Sequence, residues 1–579
     1  MVLVAFWSSN IQERFISWDF LGYYLYLPLL FNFNDIGLEN YHEVLNIINQ
    51  YQLSDTFYQV HPTPENGRHV IQYTIGIALL LMPFYFIGYG FAAIFDYPLD
   101  GFSLPFQIAI FYGCLVYIIL GLFLLRKLLL KFFNDKITFV CLLILTISTN
   151  YFAHAFLSGL IIHLLLFFLI TLCVLLCYTI FEESKTNHIK WLIVSLAILA
   201  LCRATEIIIL LIPLILLLKN KQYKLIDWIK TNYKEIIKGI LFAIPFIIIQ
   251  LLYWKYTSGS FITNPYQSSM EEMLLFHPHL LEILFSFRKG WLIYTPVVLL
   301  FFFGIFFGVK NNNKWALAIG IFVIVNIYIL SCWSSWWYAT SFSNRAFLQS
   351  YPVLIIALGW LIQKVTEKKP ALYLVILFAG ACISLNLFQT WQYKKGIIHP
   401  DRMTKDYYLK VFGKTAIPDQ AEELLLIDRN ADALGLFNEK ELVKIKEFEL
   451  NFVTDTTPQG LELNKSRSFS PAINQTYNKL SSNYFLWFRI SGEVYFQDSL
   501  PKISLVATSK HKKKPYKYYG LDIEKSKLQL QADKWNYIEH IYLSPELILP
   551  SDEFTAYFWL REEPKVFIKN LKVEVFESK

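Results

Sequence analysis

Long apolar runs separated by short polar stretches occupy most of the first 390 residues. A helix that crosses a bilayer needs roughly 20 mostly apolar residues, so these runs predict a polytopic membrane domain of about 11–13 helices. The run at 190–218 contains Arg203 and Glu206, and is therefore either one long helix or two short helices that meet at a polar turn. The runs cover residues 71–95, 105–126, 138–157, 159–181, 190–218, 235–253, 290–309, 314–333, 345–364 and 370–390.

Two segments depart from this pattern. Met1–Trp7 is apolar but too short to span a bilayer or to form the apolar part of a signal peptide, so we expect the first membrane helix to begin upstream of the given start. The run at 71–95 would begin and end on the same side of the membrane. It is therefore predicted to be two half-helices broken near Pro83, or a re-entrant hairpin.

The C-terminal part has a different period. From about residue 435, segments such as FELNFV and KISLVA alternate between apolar and polar residues, which predicts about seven or eight strands in a jelly-roll-like antiparallel sandwich. The predicted organisation is a membrane domain at 1–390, a linker at 391–434 and a β-domain at 435–579. The β-domain is either a carbohydrate-binding module or an inert structural cap, because its aromatic residues could stack on sugars or fill the core. The residues concerned are Trp487, Tyr518, Tyr519 and Trp559.

Composition supports a membrane protein. Hydrophobic residues make up 55% of the chain and charged residues 17%, with a mean hydropathy of +0.41, whereas a soluble domain carries about 25% charged residues. The composition therefore argues against a cytosolic enzyme and against a disordered chain. All seven cysteines lie in or beside apolar runs, which argues against a disulfide framework.

The distribution of charge gives an orientation. The net charge of +7 is too mild to indicate a nucleic-acid partner. The positive-inside rule places the basic loops at 126–136, 185–190, 219–238, 310–314 and 364–369 in the cytoplasm. Ionisable residues near the opposite face then converge there and predict a functional site. They are Asp19, Arg68, His154, Arg203, Arg288, Lys289 and Arg345.

The segment SWDFLGYYLYLP, residues 17–28, contains the first candidate group. Asp19 has the aromatic neighbours Trp18, Phe20, Tyr23 and Tyr24. Burial in this setting is predicted to raise its pKa towards that of a general base. The alternative is that Asp19 caps a helix at the membrane surface.

Two cations precede a span in FSFRKGWLIYTP, residues 285–296. Arg288 and Lys289 oppose the positive-inside bias, so an anion such as phosphate or pyrophosphate is expected to compensate them. Anchoring to lipid headgroups is the alternative interpretation.

The third motif is CWSSWWYATSFSNRAF, residues 332–347. Trp336, Trp337 and Tyr338 predict an aromatic wall beside Arg345. An aromatic membrane belt would explain the tryptophans but not the dense Ser, Thr, Asn and Arg around them. We therefore favour a binding site here.

Weaker signals come from Asp100, His154 and His163, each a candidate acid or metal ligand. Asp100 is otherwise a turn residue, and a lone histidine in an apolar helix is more often structural. Arg203 and Glu206 are close enough in sequence to pair with each other. No zinc motif, Walker motif or Ser-His-Asp arrangement stands out in the sequence.

These motifs, together with YTIGIALLLMPF (73–84) and DGFSLPFQ (100–107), resemble the GT-C superfamily of integral-membrane glycosyltransferases. That superfamily includes protein O-mannosyltransferases, aminoarabinose transferases and the oligosaccharyltransferase catalytic subunit. WWYATSFSNR is similar to the WWYGGSFGxR pattern of a Bacteroidetes-like subgroup with a trailing β-domain. Ala339, Thr340 and Ser343 stand where that pattern favours glycine, and Asp19 lacks the adjacent acid of the mannosyltransferases.

The resemblance implies an inverting transfer of a sugar from a polyprenyl-phosphate donor to a protein, lipid or glycan acceptor. This reaction would take place at the periplasmic face of a bacterial inner membrane, where the β-domain would also lie. Asp19 would be the base, and a divalent metal is left open. The donor phosphate would contact Arg288, Lys289 and Arg345, then Arg203 and Arg68. Sugar and lipid would contact Tyr23, Tyr24, Tyr73, Trp336, Trp337 and Tyr338.

Three other functions remain open from the sequence. A lipid-linked glycan ligase or polymerase would favour a large basic external loop, and none is obvious. A membrane transporter without transferase activity would need polar groups towards both faces, whereas the cytoplasmic halves of the spans are apolar. A membrane-anchored binding protein would not explain so many ionisable residues at one face.

Overall fold

The computed structural model describes residues 14–578, except for the gaps given at the end of this paragraph. The chain divides into two compact units, Met1–Leu425 and Leu426–Lys579. The predicted first helix at Met1–Trp7 lies outside the described residues. The gaps are 64–65, 157–161, 220–223, 267–270, 429–436, 456, 458, 484, 498–501, 524–529 and 563.

Helices form most of the first unit. In a helix the backbone N–H and C=O groups of an apolar run bond to one another within the run, so none is left unsatisfied in an apolar environment. A short antiparallel hairpin of β1 (Val60–Pro62) and β2 (His69–Ile71) interrupts the helices. The α-helices of this unit are Trp18–Tyr24, Tyr26–Phe31, Tyr41–Gln50, Gly76–Ile94, Leu104–Phe132, Asp135–Ser148, Tyr151–Phe156, Ile162–Phe181, Ile189–Cys202, Leu211–Leu218, Leu225–Ser258, Leu280–Phe285, Trp291–Tyr294, Val298–Lys310, Lys314–Ser331, Tyr351–Val365, Lys369–Lys394 and Lys405–Val411. Longer 3-10 turns occur at Ala204–Leu210 and Arg345–Ser350.

The first unit has the helices of a membrane protein. Within the described part of the chain, seven helices are long and apolar enough to cross a bilayer, and three shorter apolar helices accompany them. Leu225–Ser258 and Lys369–Lys394 are the least buried of the seven, with 22% and 17% of their apolar windows inside the protein. Their exposed side chains, such as Leu241 and Leu377, suit a lipid environment, because apolar helix faces of this size would be unfavourable in water.

The helix bounds show which of the predicted forms the runs at 71–95 and 190–218 adopt. The predicted break or hairpin near Pro83 is wrong, because Gly76–Ile94 is one helix with Pro83 inside it. Neighbouring helices and local adjustments can compensate a proline in a membrane helix. The run at 190–218 does divide into two helical segments, which meet at the extended backbone of Arg203.

Much of the predicted linker at 391–434 belongs to the helical unit, which extends to Leu425. Apolar side chains of this segment pack with residues that precede the loop at 333–344 and with residues of that loop. Their separate core cluster contains Tyr294, Phe342, Ile397, Ile398, Met403, Tyr407, Tyr408, Val411 and Ala421. The alternating charges of 391–425 therefore mark a surface of this packed segment and not a free connection.

The second unit contains two antiparallel sheets that share an apolar core. The strands are β3 Leu442–Asn451, β4 Leu461–Leu463, β5 Ile473–Thr476, β6 Trp487–Tyr495, β7 Lys502–His511, β8 Lys514–Asp522, β9 Trp535–Leu543, β10 Glu553–Glu562 and β11 Val566–Ser578. One sheet has the order β5-β10-β7-β8, and the other has the order β3-β11-β6-β9 with β4 beside β11. Side chains alternate between the two faces of each strand, and the inward set includes Phe488, Phe554 and Phe558.

The cysteines follow the sequence prediction. All seven lie among the described residues as buried free thiols. The second unit has none, so its stability comes from the apolar core and the sheet hydrogen bonds.

Candidate functional site around Asp19 and Arg345

Asp19 lies in the first turn of the helix Trp18–Tyr24, and three side chains hold its carboxylate. Tyr58 and Tyr73 donate their hydroxyls to Oδ1 over 2.8 and 2.9 Å. Arg345 Nη2 donates to Oδ2 over 2.8 Å. The side chain of Asp19 is 32% exposed and that of Arg345 is 12% exposed. The carboxylate is therefore fixed in direction and remains open to a substrate.

The electrostatics of Asp19 differ from the sequence prediction. Burial acts to raise its pKa, as predicted, but the charge of Arg345 and the hydroxyls of Tyr58 and Tyr73 outweigh burial and lower the pKa below its ordinary value. The alternative role as a helix cap is also wrong, because Ser17 occupies the N-cap position. Asp19 is thus an ionised carboxylate that accepts three charge-stabilising hydrogen bonds.

Aromatic rings surround this carboxylate. Tyr23 stacks on Tyr73 with ring centroids 4.2 Å apart. Tyr266 meets Tyr73 edge-on at 6.3 Å and Trp333 at 5.3 Å. The rings present apolar faces with polar tips, which suits a ligand that has both apolar and hydroxyl-bearing surfaces.

Two arginines, Arg203 and Arg345, lie beside these rings and the Asp19 carboxylate, respectively. The Arg203 guanidinium lies over the ring of Tyr338 at 5.5 Å and interacts electrostatically with Tyr23. The Nε atom of Arg345 is buried without a hydrogen-bond partner among the described residues. This arrangement leaves cationic hydrogen-bond donors beside an exposed carboxylate.

Comparisons with protein-family models, with curated proteins and with solved structures found no match for this chain.

The predicted pairing of Arg203 with Glu206 forms only in part. The two groups interact electrostatically, but Oε1 of Glu206 accepts its hydrogen bond from Gln349 Nε2 over 2.9 Å. His163 Nδ1 lies 2.9 Å from Oε1 of the same glutamine. His163 therefore belongs to a buried network behind Arg203, in a supporting position.

Glu271 is a carboxyl group that the sequence interpretation missed. It interacts electrostatically with Asp19 and Arg345 and is hydrogen bonded to Ser335. Burial and the nearby charge of Asp19 raise the pKa of Glu271. The sequence offers no motif around Glu271 that would join it to Asp19, since the two carboxyl groups are 252 positions apart.

The loop that carries Arg345 has an unusual backbone. Tyr338, Ala339 and Ser343 have φ values of +51°, +48° and +55°, in the left-handed region that favours glycine. Two of them, Ala339 and Ser343, are the positions where the similar pattern has glycine. Such conformations cost about 1–3 kcal/mol each and persist where surrounding contacts enforce them.

Two predicted site residues supply those contacts to the loop. His154 Nε2 lies 2.9 Å from the carbonyl oxygen of Phe342. Lys289 is 1% exposed, and its Nζ donates to the backbone carbonyls of Ser341 and Pro400. Both side chains face protein backbone, and the structure gives Lys289 a position that holds the loop.

Arg288, Trp336 and Trp337 also contact other parts of the protein. Arg288 donates through Nε to the carbonyl of Asp401 over 2.8 Å, and its guanidinium lies 4.1 Å from the centroid of the Trp337 ring. The Trp336 carbonyl accepts a bond from Asn344 Nδ2 over 3.1 Å. Arg288 therefore ties the segment after the last long helix to this loop.

Two further predicted residues lie in other environments. Arg68 donates to Glu39 over 2.7 Å and stacks on Tyr256 at 3.9 Å. Tyr24 is fully buried, and its hydroxyl donates to the carbonyl of Gly101 over 2.5 Å. Neither residue has a described contact with Asp19.

The candidate metal ligands do not converge. Oδ1 of Asp100 accepts the backbone N–H groups of Phe102 and Ser103, both over 2.8 Å, and Oδ2 accepts the hydroxyl of Tyr51. Asp100 thus has the turn role that was the alternative interpretation. Among the described residues, no group of three or more His, Cys, Asp or Glu side chains is placed to hold a metal ion.

Proposed function

We propose that the protein is an inverting glycosyltransferase that moves a sugar from a polyprenyl-phosphate donor to an acceptor hydroxyl. The observation that carries this proposal is the junction of Asp19 with Arg345, where an oriented carboxylate, a cation and aromatic rings meet. A base must contact the acceptor, and the 32% exposure of the Asp19 side chain permits that. The apolar helices supply the lipid environment that such a donor needs.

The chemical step follows from these positions. Asp19 accepts the proton of the acceptor hydroxyl while that oxygen attacks the anomeric carbon from the side opposite the phosphate. The bond between the anomeric carbon and the phosphate oxygen breaks, and its electron pair leaves with polyprenyl phosphate. The configuration at the anomeric carbon is inverted.

Arg345 and Arg203 are the cations best placed to neutralise the departing phosphate. Arg345 Nε has no described partner, and Arg203 interacts mainly with aromatic rings. Electrostatic stabilisation of developing charge is a large contribution to catalysis in such sites. Lys289 and Arg288 are assigned to holding the loop that carries Arg345, which places them behind the phosphate in this proposal.

Tyr23, Tyr73 and Tyr338 are the rings assigned to sugar and isoprenoid contact. Trp336 and Trp337 belong to the same loop and would form its outer wall. The proposed reaction takes place at the non-cytoplasmic face, as the positive-inside distribution of the loops predicts. The resemblance implies that this is the periplasmic face of a bacterial inner membrane.

We also infer that the second unit is a jelly roll. Its eight longer strands occur in the orders first-eighth-third-sixth and second-seventh-fourth-fifth when β4 is set aside. Two nested Greek keys produce this order.

The test uses the purified full-length protein and polyprenyl-phosphate sugars with a panel of acceptors. Asp19→Asn is expected to abolish donor consumption while the thermal midpoint and elution volume stay close to those of the unchanged protein. Glu39→Gln, which alters an exposed ion pair of Arg68, is the matched control and should retain activity. Analysis of the product should show inversion at the anomeric carbon.

Near-normal transfer by the Asp19→Asn variant would refute the assigned base. Retention of configuration in the product would refute the single-displacement step. Transport of a sugar across a vesicle membrane without donor consumption would favour the transporter alternative.

A further inference from the structure

We propose that the outer face of the four-stranded sheet in the second unit binds an uncharged oligosaccharide. The face carries four aromatic side chains, Phe469, Tyr557, Trp559 and Tyr518. This proposal is independent of the chemistry at Asp19. It selects one of the two roles that the sequence left open for the β-domain.

The strand register places the four rings on one face. Tyr557 and Trp559 alternate along β10 with Phe558 and Leu560, which belong to the core, so their side chains point away from it. Phe469 forms an isolated antiparallel β-bridge with Trp559. Their rings are stacked, with centroids 5.7 Å apart and an interplanar angle of 16°.

Tyr518 extends this face to the other side of the sheet. It lies in β8 opposite Thr508 of β7, which in turn lies opposite Thr555 of β10. Its hydroxyl lies against Gly520, where an added Cβ would come within 2.8 Å of that oxygen. Phe469 and Tyr518 are thus three strand spacings apart across the sheet, about 14 Å, and four residues apart along it, about 13 Å. The resulting separation of roughly 19 Å suits a short extended chain of sugar rings.

Polar groups lie between the rings. Arg561 lies over the Trp559 ring at 4.8 Å and pairs with Asp522 over 2.8 Å. Ser504 donates to the same carboxylate over 2.7 Å. An arginine–carboxylate pair offers both donors and acceptors to sugar hydroxyls, while ring faces contact the C–H faces of the sugar.

Two pairs of opposite charge balance at outward strand positions of this face, while the exposed Lys512 and Lys513 lie beyond them on the turn between β7 and β8. Arg561 is paired with Asp522, and Lys510 lies opposite Glu553 in the register of β7 and β10. A nucleic acid or an anionic lipid surface would require an excess of positive charge. The neutral face therefore favours a neutral ligand.

The exposed area argues against a protein partner. Phe469 is 52% exposed and Tyr518 is 47% exposed, while Tyr557 and Trp559 are half-buried. An aromatic side chain offers about 150–250 Å², so the four rings expose about 300 Å² in total. A stable protein complex or a dimer of this chain would bury about 800 Å² on each partner. The patch has the size of a small-ligand site.

The outer face of the other sheet differs. Arg489, Lys444 and Lys572 form ion pairs there with Glu574 or Glu447. Charged side chains thus satisfy one another across that sheet. Rings are present on that face as well, since Trp535 is 38% and Tyr537 59% exposed and Trp535 lies 5.7 Å from Tyr495. Tyr537 provides a matched control for a ring on the opposite face.

The experiment measures binding of the purified full-length protein to cello-, chito-, malto- and mannohexaose by titration calorimetry. We expect at least one of these hexasaccharides to bind. Phe469→Ala and Tyr518→Ala should each weaken that binding about tenfold, because a ring contact contributes beyond its buried area. Tyr537→Ala should leave it unchanged.

Two further variants separate stacking from simple apolar contact. Phe469→Tyr should keep the affinity, whereas Phe469→Leu should weaken it nearly as much as Phe469→Ala. Absence of binding by all four hexasaccharides at millimolar concentration would overturn the proposal. So would binding that Phe469→Ala and Tyr518→Ala leave unchanged, or self-association of the protein that Phe469→Ala abolishes.

Discussion

Replacing Lys289 with methionine distinguishes a phosphate ligand from a residue that holds a loop. The sequence predicts that Lys289 binds donor phosphate, whereas its Nζ donates to the carbonyls of Ser341 and Pro400 and lies 3.2 Å from Ser341 Oγ. Methionine has a similar length and no donor. The substitution therefore removes these bonds with little change in packing volume.

The magnitude follows from the acceptors left behind. Each buried carbonyl that loses its partner costs about 1–3 kcal/mol. Methionine also removes the penalty of burying an ammonium group, which offsets part of this cost. We expect a net loss of about 1–3 kcal/mol in the free energy of unfolding. For a unit of 425 residues, that lowers the thermal midpoint by about 1–3 °C.

The assay is thermal unfolding of the detergent-solubilised protein followed by tryptophan fluorescence, together with the KM for donor. Lys289→Met should lower the midpoint and the rate of transfer together, because the strained loop also carries Arg345. Lys410→Met, on an exposed lysine, is the control. An unchanged midpoint with a selectively raised donor KM would show that Lys289 binds phosphate and would refute the holding role.

Three further predictions concern the site and its support. Tyr73→Phe removes a hydroxyl that lowers the pKa of Asp19, so the pKa should rise and the acid limb of the rate–pH profile should move to higher pH; activity well above that limb should change little. Ala339→Gly relieves a φ of +48° and should raise the free energy of unfolding by roughly 0.5–1 kcal/mol, measured as a higher thermal midpoint. Gly76→Ala places a methyl group 2.3 Å from a backbone nitrogen of the facing helix and should cost about 1–3 kcal/mol. Gly90→Ala in the same helix meets nothing within 4 Å and should leave the midpoint unlowered or raise it slightly, because alanine is the better helix former.

The sequence was sufficient where a property depends on local pattern. Apolar runs predicted the membrane helices, and alternation predicted the C-terminal strands, because both follow from which faces must be buried. The pattern could not predict whether Pro83 breaks its helix, since this depends on compensation by neighbouring helices. It also left the place of Trp487 open between the surface and the core, and the structure buries this residue, 3% exposed, in a small apolar cluster of its own. Alternation identifies two faces, but it cannot show which one another segment covers.

The candidate site was predictable only in part. The aromatic context marked Asp19, and the polar loop marked Arg345, but nothing in the sequence joins positions 326 residues apart. Tyr58 had no motif around it, although it bonds to the same oxygen as Tyr73. The pKa of Asp19 could not be predicted in direction, because burial and the hydrogen-bonded cation act in opposite senses and the latter requires the fold.

The lowered pKa of Asp19 is compatible with a base if donor binding changes the role of Arg345. In the structure Arg345 uses Nη2 for Asp19, while its Nε has no described partner. A donor phosphate at Nε would neutralise part of the positive charge that lowers the pKa of Asp19. The carboxylate would then become more basic only once donor is bound. This coupling predicts that the acid limb of kcat, which reports the donor complex, lies at higher pH than that of kcat/KM, which reports the free enzyme. Coincident limbs would show that the phosphate does not reach Arg345.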